Sequence, residues 1–169
     1  MRLIIIVLMT VLIACTQLPT GIEPVEQFDV ERYVGKWYEI ARYDHSFERN
    51  MQNVTAEYKL KNDGGVRVIN RGYNTVLEKW SEAEGKAYFV NNTDVGHLKV
   101  SFFGPFYGSY VIFYLDDEYK YSLVTSYDRS YLWILAREPT FDEDIKNNLL
   151  ERIEAASFET KDLIFIEHF

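Results

Sequence analysis

Residues 34–47 read VGKWYEIARYDHSF. The run from Trp37 to Tyr43 is rich in aromatic and branched side chains, and Gly35 just ahead of it marks a change of chain direction. Read as a strand it alternates, with Trp37, Glu39 and Ala41 on one face and Tyr38, Ile40 and Arg42 on the other. If Trp37 enters a core, Glu39 enters it too. A buried carboxylate is costly unless paired or protonated. Glu39 is therefore a catalytic acid, a ligand contact or a structural brace.

Working outward, "FDVERYVGKW" begins at Phe28, and Asp29 is placed to N-cap a short helical turn ending at Gly35. Strand patterns then follow at short spacing. "NVTAEYKLKNDGGVRVINRGYN" is a hairpin turning at Asp63-Gly64-Gly65. Its arms put Val54, Ala56, Tyr58 and Leu60 on one face, and Val66, Val68 and Asn70 opposite Arg67, Ile69 and Arg71. "SEAEGKAYFV" carries Ala87 and Phe89 on one face, and "HLKVSFF" carries Leu98, Val100 and Phe102. After the aromatic turn "GPFYG" come "SYVIFYLD", "YKYSLVTSY" and "SYLWILARE", which bring the strands to eight. One helix follows. Thr140 and Glu143 fit a capping box, and Phe141, Ile145, Leu149, Ile153 and Ala156 form one apolar stripe. "DLIFIEHF", Asp162 to Phe169, reads as a last short strand.

Eight antiparallel strands leave open edges unless the sheet closes. Closure as an up-and-down barrel removes the edges and encloses room for one small ligand. The expected fold is all-β: an eight-stranded antiparallel up-and-down barrel over residues 28–169, with the C-terminal helix packed outside.

The N-terminus has a separate logic. "MRLIIIVLMTVLIA" has Arg2 and then an apolar run, the layout of an export signal over residues 1–14. "LIAC" resembles a bacterial lipobox, which makes Cys15 the expected lipidation site. It is the single cysteine of the chain, so no intramolecular disulfide forms. Acyl chains there would anchor the protein, at about 0.8 kcal/mol for each buried CH₂. An ordinary signal cut near Ala14 is the alternative. Residues 15–27, polar with two prolines, read as the lipidated cysteine and a flexible tether.

A formal net charge of −8 gives no electrostatic reason to hold nucleic acid or to lie flat on anionic lipid. His45, His97 and His168 are far apart with no metal-ligand spacing, and no G-x-S-x-G occurs. No catalytic residue, metal or cofactor is expected.

Gly35-x-Trp37 behind a short helical turn resembles the signature of the lipocalin family. "TSYDRSYLWILAREP", Thr125 to Pro139, resembles its second and third motifs, with Ser126 where many members carry an acidic residue. "KWYEIARYDHSFER", "DGGVRVINRGYN", "GKAYFV" and "LKVSFFGPFYGSY" resemble bacterial members. The resemblance implies a non-enzymatic protein that binds fatty acids and phospholipids, with lysophospholipids preferred, for lipid storage or transport in envelope maintenance under stress. It also implies possible homodimers. In the resembling lipoproteins an Asp after the cysteine favours the inner membrane, and Thr16 points instead to the outer membrane. A lipid-anchored protein on its periplasmic face is expected.

The resemblance further implies that Trp37 plugs the closed end of the barrel under Arg137, and that Tyr107 and Trp133 stand in the lipid pocket. Parity adds Tyr131 beside Trp133. Phe106 lies in the same loop as Tyr107. The inward rows supply Ala56, Tyr58, Phe89, Val100 and Phe102 as candidate ligand contacts, although any of them could simply fill the barrel. Small Ala56 and Ala87 argue for open volume. Arg137 is the expected partner of Glu39, with Arg71 or water as alternatives. The competing functional readings are a lipocalin-fold enzyme, which needs a perturbed acid or base in the cup, and an envelope assembly scaffold.

Overall fold

The computed structural model describes residues 16–169. The export signal and Cys15 lie outside the described residues. Helix α1 spans Val30–Tyr33, and the Glu31 amide donates to Asp29 Oδ1 at 2.9 Å. Gly35, at φ +99°, then swings the chain into β1, a conformation that a Cβ would strain.

The strands are β1 Gly35–Tyr43, β2 Met51–Leu60, β3 Val66–Asn74, β4 Lys79–Phe89, β5 His97–Ser101, β6 Gly108–Leu115, β7 Tyr121–Thr125 and β8 Leu132–Ala136. Every pairing is antiparallel, and β1 closes the barrel by bonding both β2 and β8. Helix α2, Glu143–Ala155, and strand β9, Leu163–Phe165, follow.

The sequence patterns follow from what each wall faces. On β8, Leu135 packs inside the barrel, whereas Leu132, Ile134 and Ala136 pack outward in the layer that holds Leu149 and Ile153 of α2. Strands β6 to β8 are thus covered on both faces and read as continuous apolar runs. Strand β3 has solvent outside, so Arg67 and Arg71 alternate with buried Val66 and Val68.

Four expectations are corrected. The strand alternation in β1 breaks at a bulge between Glu39 and Ala41. Beyond it Ala41 joins the outer layer, and Arg42 lies buried beside Glu39. An extra residue reverses the phase of everything after it. The capping box is not made: Asp142 is the N-cap, and Glu143 is the first helical residue, two short of the third position from which a capping-box glutamate reaches back to the cap. The terminal strand is three residues long, Leu163–Phe165. Beyond it the tail follows the seam between β1 and β2. There the Ile166 amide donates to Ile40 O at 2.9 Å, and the Asn53 amide to Glu167 O at 2.8 Å. The pairing of β1 with β2 stops at Tyr38 and Thr55, so the tail takes up backbone groups left by the divergence. Finally, residues 19–27 do not hang free as a tether. Ile22 is buried in the outer layer, and Val25 exchanges backbone bonds with Gly96 and Ile112.

Candidate functional site

The base of the barrel is filled. Trp37 is fully buried, and the Arg137 guanidinium lies 4.0 Å from its ring centroid. The indole Nε1 donates to Tyr33 O at 2.8 Å. Arg137 donates to the carbonyls of Arg32, Tyr33, Lys36 and Tyr119, which ties α1 and the β6–β7 turn to the end of β8. Burial pulls its guanidinium below its ordinary pKa. No bond joins Arg137 to Glu39, which corrects the expected pairing.

Above the plug stands a polar floor that sequence reasoning missed. Tyr110 Oη lies 2.8 Å from Tyr33 Oη and 2.9 Å from Tyr58 Oη, and Tyr33 Oη lies 3.2 Å from Ser122 Oγ. Burial pushes the Tyr33 phenol up to about 12 and raises Tyr58 and Tyr110 well above their usual range. All three stay neutral and act as hydrogen-bonding groups.

Above this floor is a cavity of about 270 Å³. Its wall is almost wholly apolar and includes Ala56, Tyr58, Val100, Phe102, Tyr131 and Trp133 of the expected set. A second lobe, about 390 Å³, opens beside it and shares Phe47, Glu48, Val54, Asn70, Val100 and Phe102 as common wall. The lobe exists because β5 pairs only with Lys86–Phe89 of β4, which leaves the upper half of β4 without that neighbour. Phe106 lines this lobe and is largely exposed.

Two expected contacts lie elsewhere. Phe89 packs on Phe28 at the base, with centroids 6.1 Å apart, because it sits near the closed end of β4. Tyr107 meets Tyr88 edge-on at 6.5 Å, with Lys99 Nζ 5.4 Å from its ring centroid. It leaves the cup because Tyr88 and Lys99 alternate outward from Ala87 and Val100.

The mouth is polar beneath an aromatic rim. Arg42 Nη1 donates to Glu39 Oε1 at 2.6 Å, and Nη2 donates to the carbonyls of Glu48 and Met51. Trp133 Nε1 donates to Glu48 Oε2 at 3.2 Å. His45 Nε2 stands 2.9 Å from the same oxygen, off the line of a hydrogen bond. Trp133 stacks on Tyr131 and His45 on Phe47, with centroids 5.4 and 3.9 Å apart. Burial, reinforced by the facing Glu48 carboxylate and opposed by Arg42, raises the Glu39 carboxyl well above its usual range. Arg42, His45 and Glu48 were not singled out from sequence. The bulge that brings Arg42 inward leaves no pattern, but the charged cluster at the top of the strand was a signal. Among the described residues no group of three or more metal-ligating side chains forms a metal site.

A closed barrel with a plugged base, a packed outer helix and an apolar cup defines the ligand-binding barrel class. The family model for the lipocalin-like domain matches residues 28–168, and the chain belongs to the lipocalin family. It is 50% identical over 169 residues to "Outer membrane lipoprotein Blc" of Vibrio cholerae, covering 99% of each chain. It is 48% identical over 149 residues to the protein of that name in Escherichia coli K12, covering 88% of this chain and 84% of that one. In fold it resembles insecticyanin of the tobacco hornworm, with a TM-score of 0.73 at 19% identity over 90% of this chain and 87% of the other.

Proposed function

We propose that this chain is a lipid-binding outer-membrane lipoprotein that carries an acyl chain in its cup without chemical conversion. One observation carries this reading: an apolar-walled cavity of about 270 Å³ lies inside a closed barrel whose base is fully packed. Ligand sites typically span about 300–1,000 Å³, a size the two adjoining lobes reach together. Each CH₂ that leaves water contributes about 0.8 kcal/mol, less the cost of ordering the ligand. The resembling relatives carry the name outer membrane lipoprotein, which supports the same location. Acylation of Cys15 would supply the anchor, on the periplasmic face, and lysophospholipids and fatty acids are the proposed cargo. Storage or transport of lipid during envelope maintenance follows as the role, with a homodimer as the possible assembly. The buried acid Glu39 is the one feature that favours an enzyme. Its partners Arg42 and Glu48 brace the mouth, and no nucleophile stands beside it in the arrangement described.

The test is native mass spectrometry of protein purified from envelopes, with lipid extraction and then titration of the delipidated protein with lysophospholipid. Bound lipid or saturable binding is expected. Absence of both overturns the reading.

A further inference from the structure

Exposed apolar side chains gather at the mouth. Three of its four loops carry them: Phe47 after β1, Val76 and Leu77 after β3, and Phe103 and Phe106 after β5. The turns at the base, residues 61–65, 90–96 and 116–120, carry none, although Leu60 at the end of β2 is exposed there. The loop after β5 is the most apolar of the set. Phe103 and Phe106 are 82% and 68% exposed, and the Phe106 amide donates to Phe103 O at 3.2 Å, so one turn displays both rings. No charged residue occurs from Val100 to Leu115. At the foot of the loop Tyr107 faces outward, with Lys99 Nζ 5.4 Å from its ring centroid. Exposed apolar surface of this kind marks contact with a protein or a membrane. Phenyl tips above a tyrosine and a lysine suit a lipid surface, where rings enter the acyl region and the polar ends stay among the headgroups.

The N-terminal segment favours the membrane. It is fastened along the outer wall: Val25 exchanges backbone bonds with Gly96 and Ile112, Arg129 Nη1 donates to Thr20 O at 3.1 Å, and the His97 ring meets the Thr16 backbone in a hydrogen bond. His97 Nε2 also stands 2.9 Å from Ser109 Oγ, close behind the loop. Cys15 immediately precedes Thr16, and one residue spans only about 3.5 Å, so acyl chains on it would leave the wall of β5 and β6 with almost no slack. Those two strands are the pair that the Phe103–Phe106 loop joins.

Building on the lipoprotein reading, we infer that the mouth of the barrel docks on the lipid bilayer, with Phe103 and Phe106 inserted beside the Cys15 anchor. The second lobe, whose wall includes both rings, then opens at the membrane surface. The attraction is apolar, because a net charge of −8 offers anionic lipid nothing to hold. The contact therefore forms on zwitterionic lipid and survives high salt.

The experiment uses the acylated chain in vesicles of phosphatidylcholine and phosphatidylethanolamine. Phe103→Cys, Phe106→Cys and, at the exposed base turn, Asn62→Cys each offer one free thiol for an environment-sensitive fluorophore, since Cys15 is acylated. The cup is first filled with lysophospholipid, so that quenching reports the bilayer and not a bound ligand. The labels at 103 and 106 are expected to shift to the blue and to be quenched by a phospholipid bearing a nitroxide on its acyl chain, at low and at high salt. The label at 62 is expected to do neither. Labels at 103 and 106 that emit as in water, on a chain that floats with the vesicles, overturn the inference and leave the lipoprotein reading standing. A blue shift without nitroxide quenching assigns the loop to a contact between two copies and also overturns it. Absence of acyl groups on Cys15, read by mass spectrometry of the chain purified from envelopes, overturns both.

Discussion

At the base of the barrel, Arg137 faces the Trp37 ring and donates to four carbonyl oxygens. At the mouth, Arg42 is more deeply buried yet leaves its Nε without a partner. The contrast extends to their surroundings. The buried side-chain atoms without hydrogen bonds among the described residues belong to Arg42, His45, Asn70 and Ser101, all in the half toward the mouth. The base carries none of them. One barrel thus has an end where polar groups are satisfied within the protein and an end where some await a partner. The proposed division is that the first end holds the fold together and the second meets the ligand.

The sharpest way to break this division is Trp37→Ala. Removing a fully buried indole leaves a cavity, and about 3–5 kcal/mol of stability should be lost in urea unfolding. Lipid affinity per folded molecule should not change. A large loss of affinity at normal stability would merge the two ends into one site. Arg137→Ala should follow at about 2–3 kcal/mol, since it removes both the stacking and the hydrogen bonds to α1. Its effect should likewise appear in Tm and not in Kd.

Ala56→Phe acts on the cup itself. Ala56 lines the main lobe, and a phenyl ring there would occupy ligand volume. Affinity for lysophospholipid should fall by about tenfold, equivalent to about 1.4 kcal/mol, with Tm little changed. Unchanged affinity would mean that the acyl chain lies in the second lobe alone.

These positions also mark how far the residues could be read without coordinates. The Trp37 plug and the Arg137 cover came from the family resemblance, whereas barrel closure was legible because period-two patterns and a glycine-led turn are local signals. The wall at Ala56, Tyr58, Val100, Phe102, Tyr131 and Trp133 was legible for the same reason. The partner of Glu39 was not. Simple alternation sends Arg42 outward, and a single bulged residue brings it back. Tyr107 was misplaced because the resemblance assigned a pocket position, whereas its neighbours Tyr88 and Lys99 stand outside. The second lobe was invisible because it depends on where the pairing of β4 with β5 stops, a register property that composition does not encode.

The smallest expected effect tests whether the mouth carries a standing electrostatic cost. Burial and the facing Glu48 carboxylate raise the Glu39 pKa in the folded state. The folded protein then binds a proton more tightly than the unfolded chain, where a Glu titrates near about 4.3. Stability from this group is complete below that value and is lost as pH rises toward the folded pKa. The groups facing Glu39 are Arg42 and Glu48, with Tyr58 and His45 nearby in the same cluster. Glu39→Gln keeps the shape of the protonated acid and removes the titration. Thermal unfolding from mildly acidic to mildly alkaline pH should show the wild type losing stability relative to Glu39→Gln as pH rises. The same scan on Arg137→Ala should run parallel to wild type, because the base holds no raised carboxyl. Parallel curves for wild type and Glu39→Gln would mean that Arg42 fully compensates the carboxylate. The mouth would then be as settled as the base.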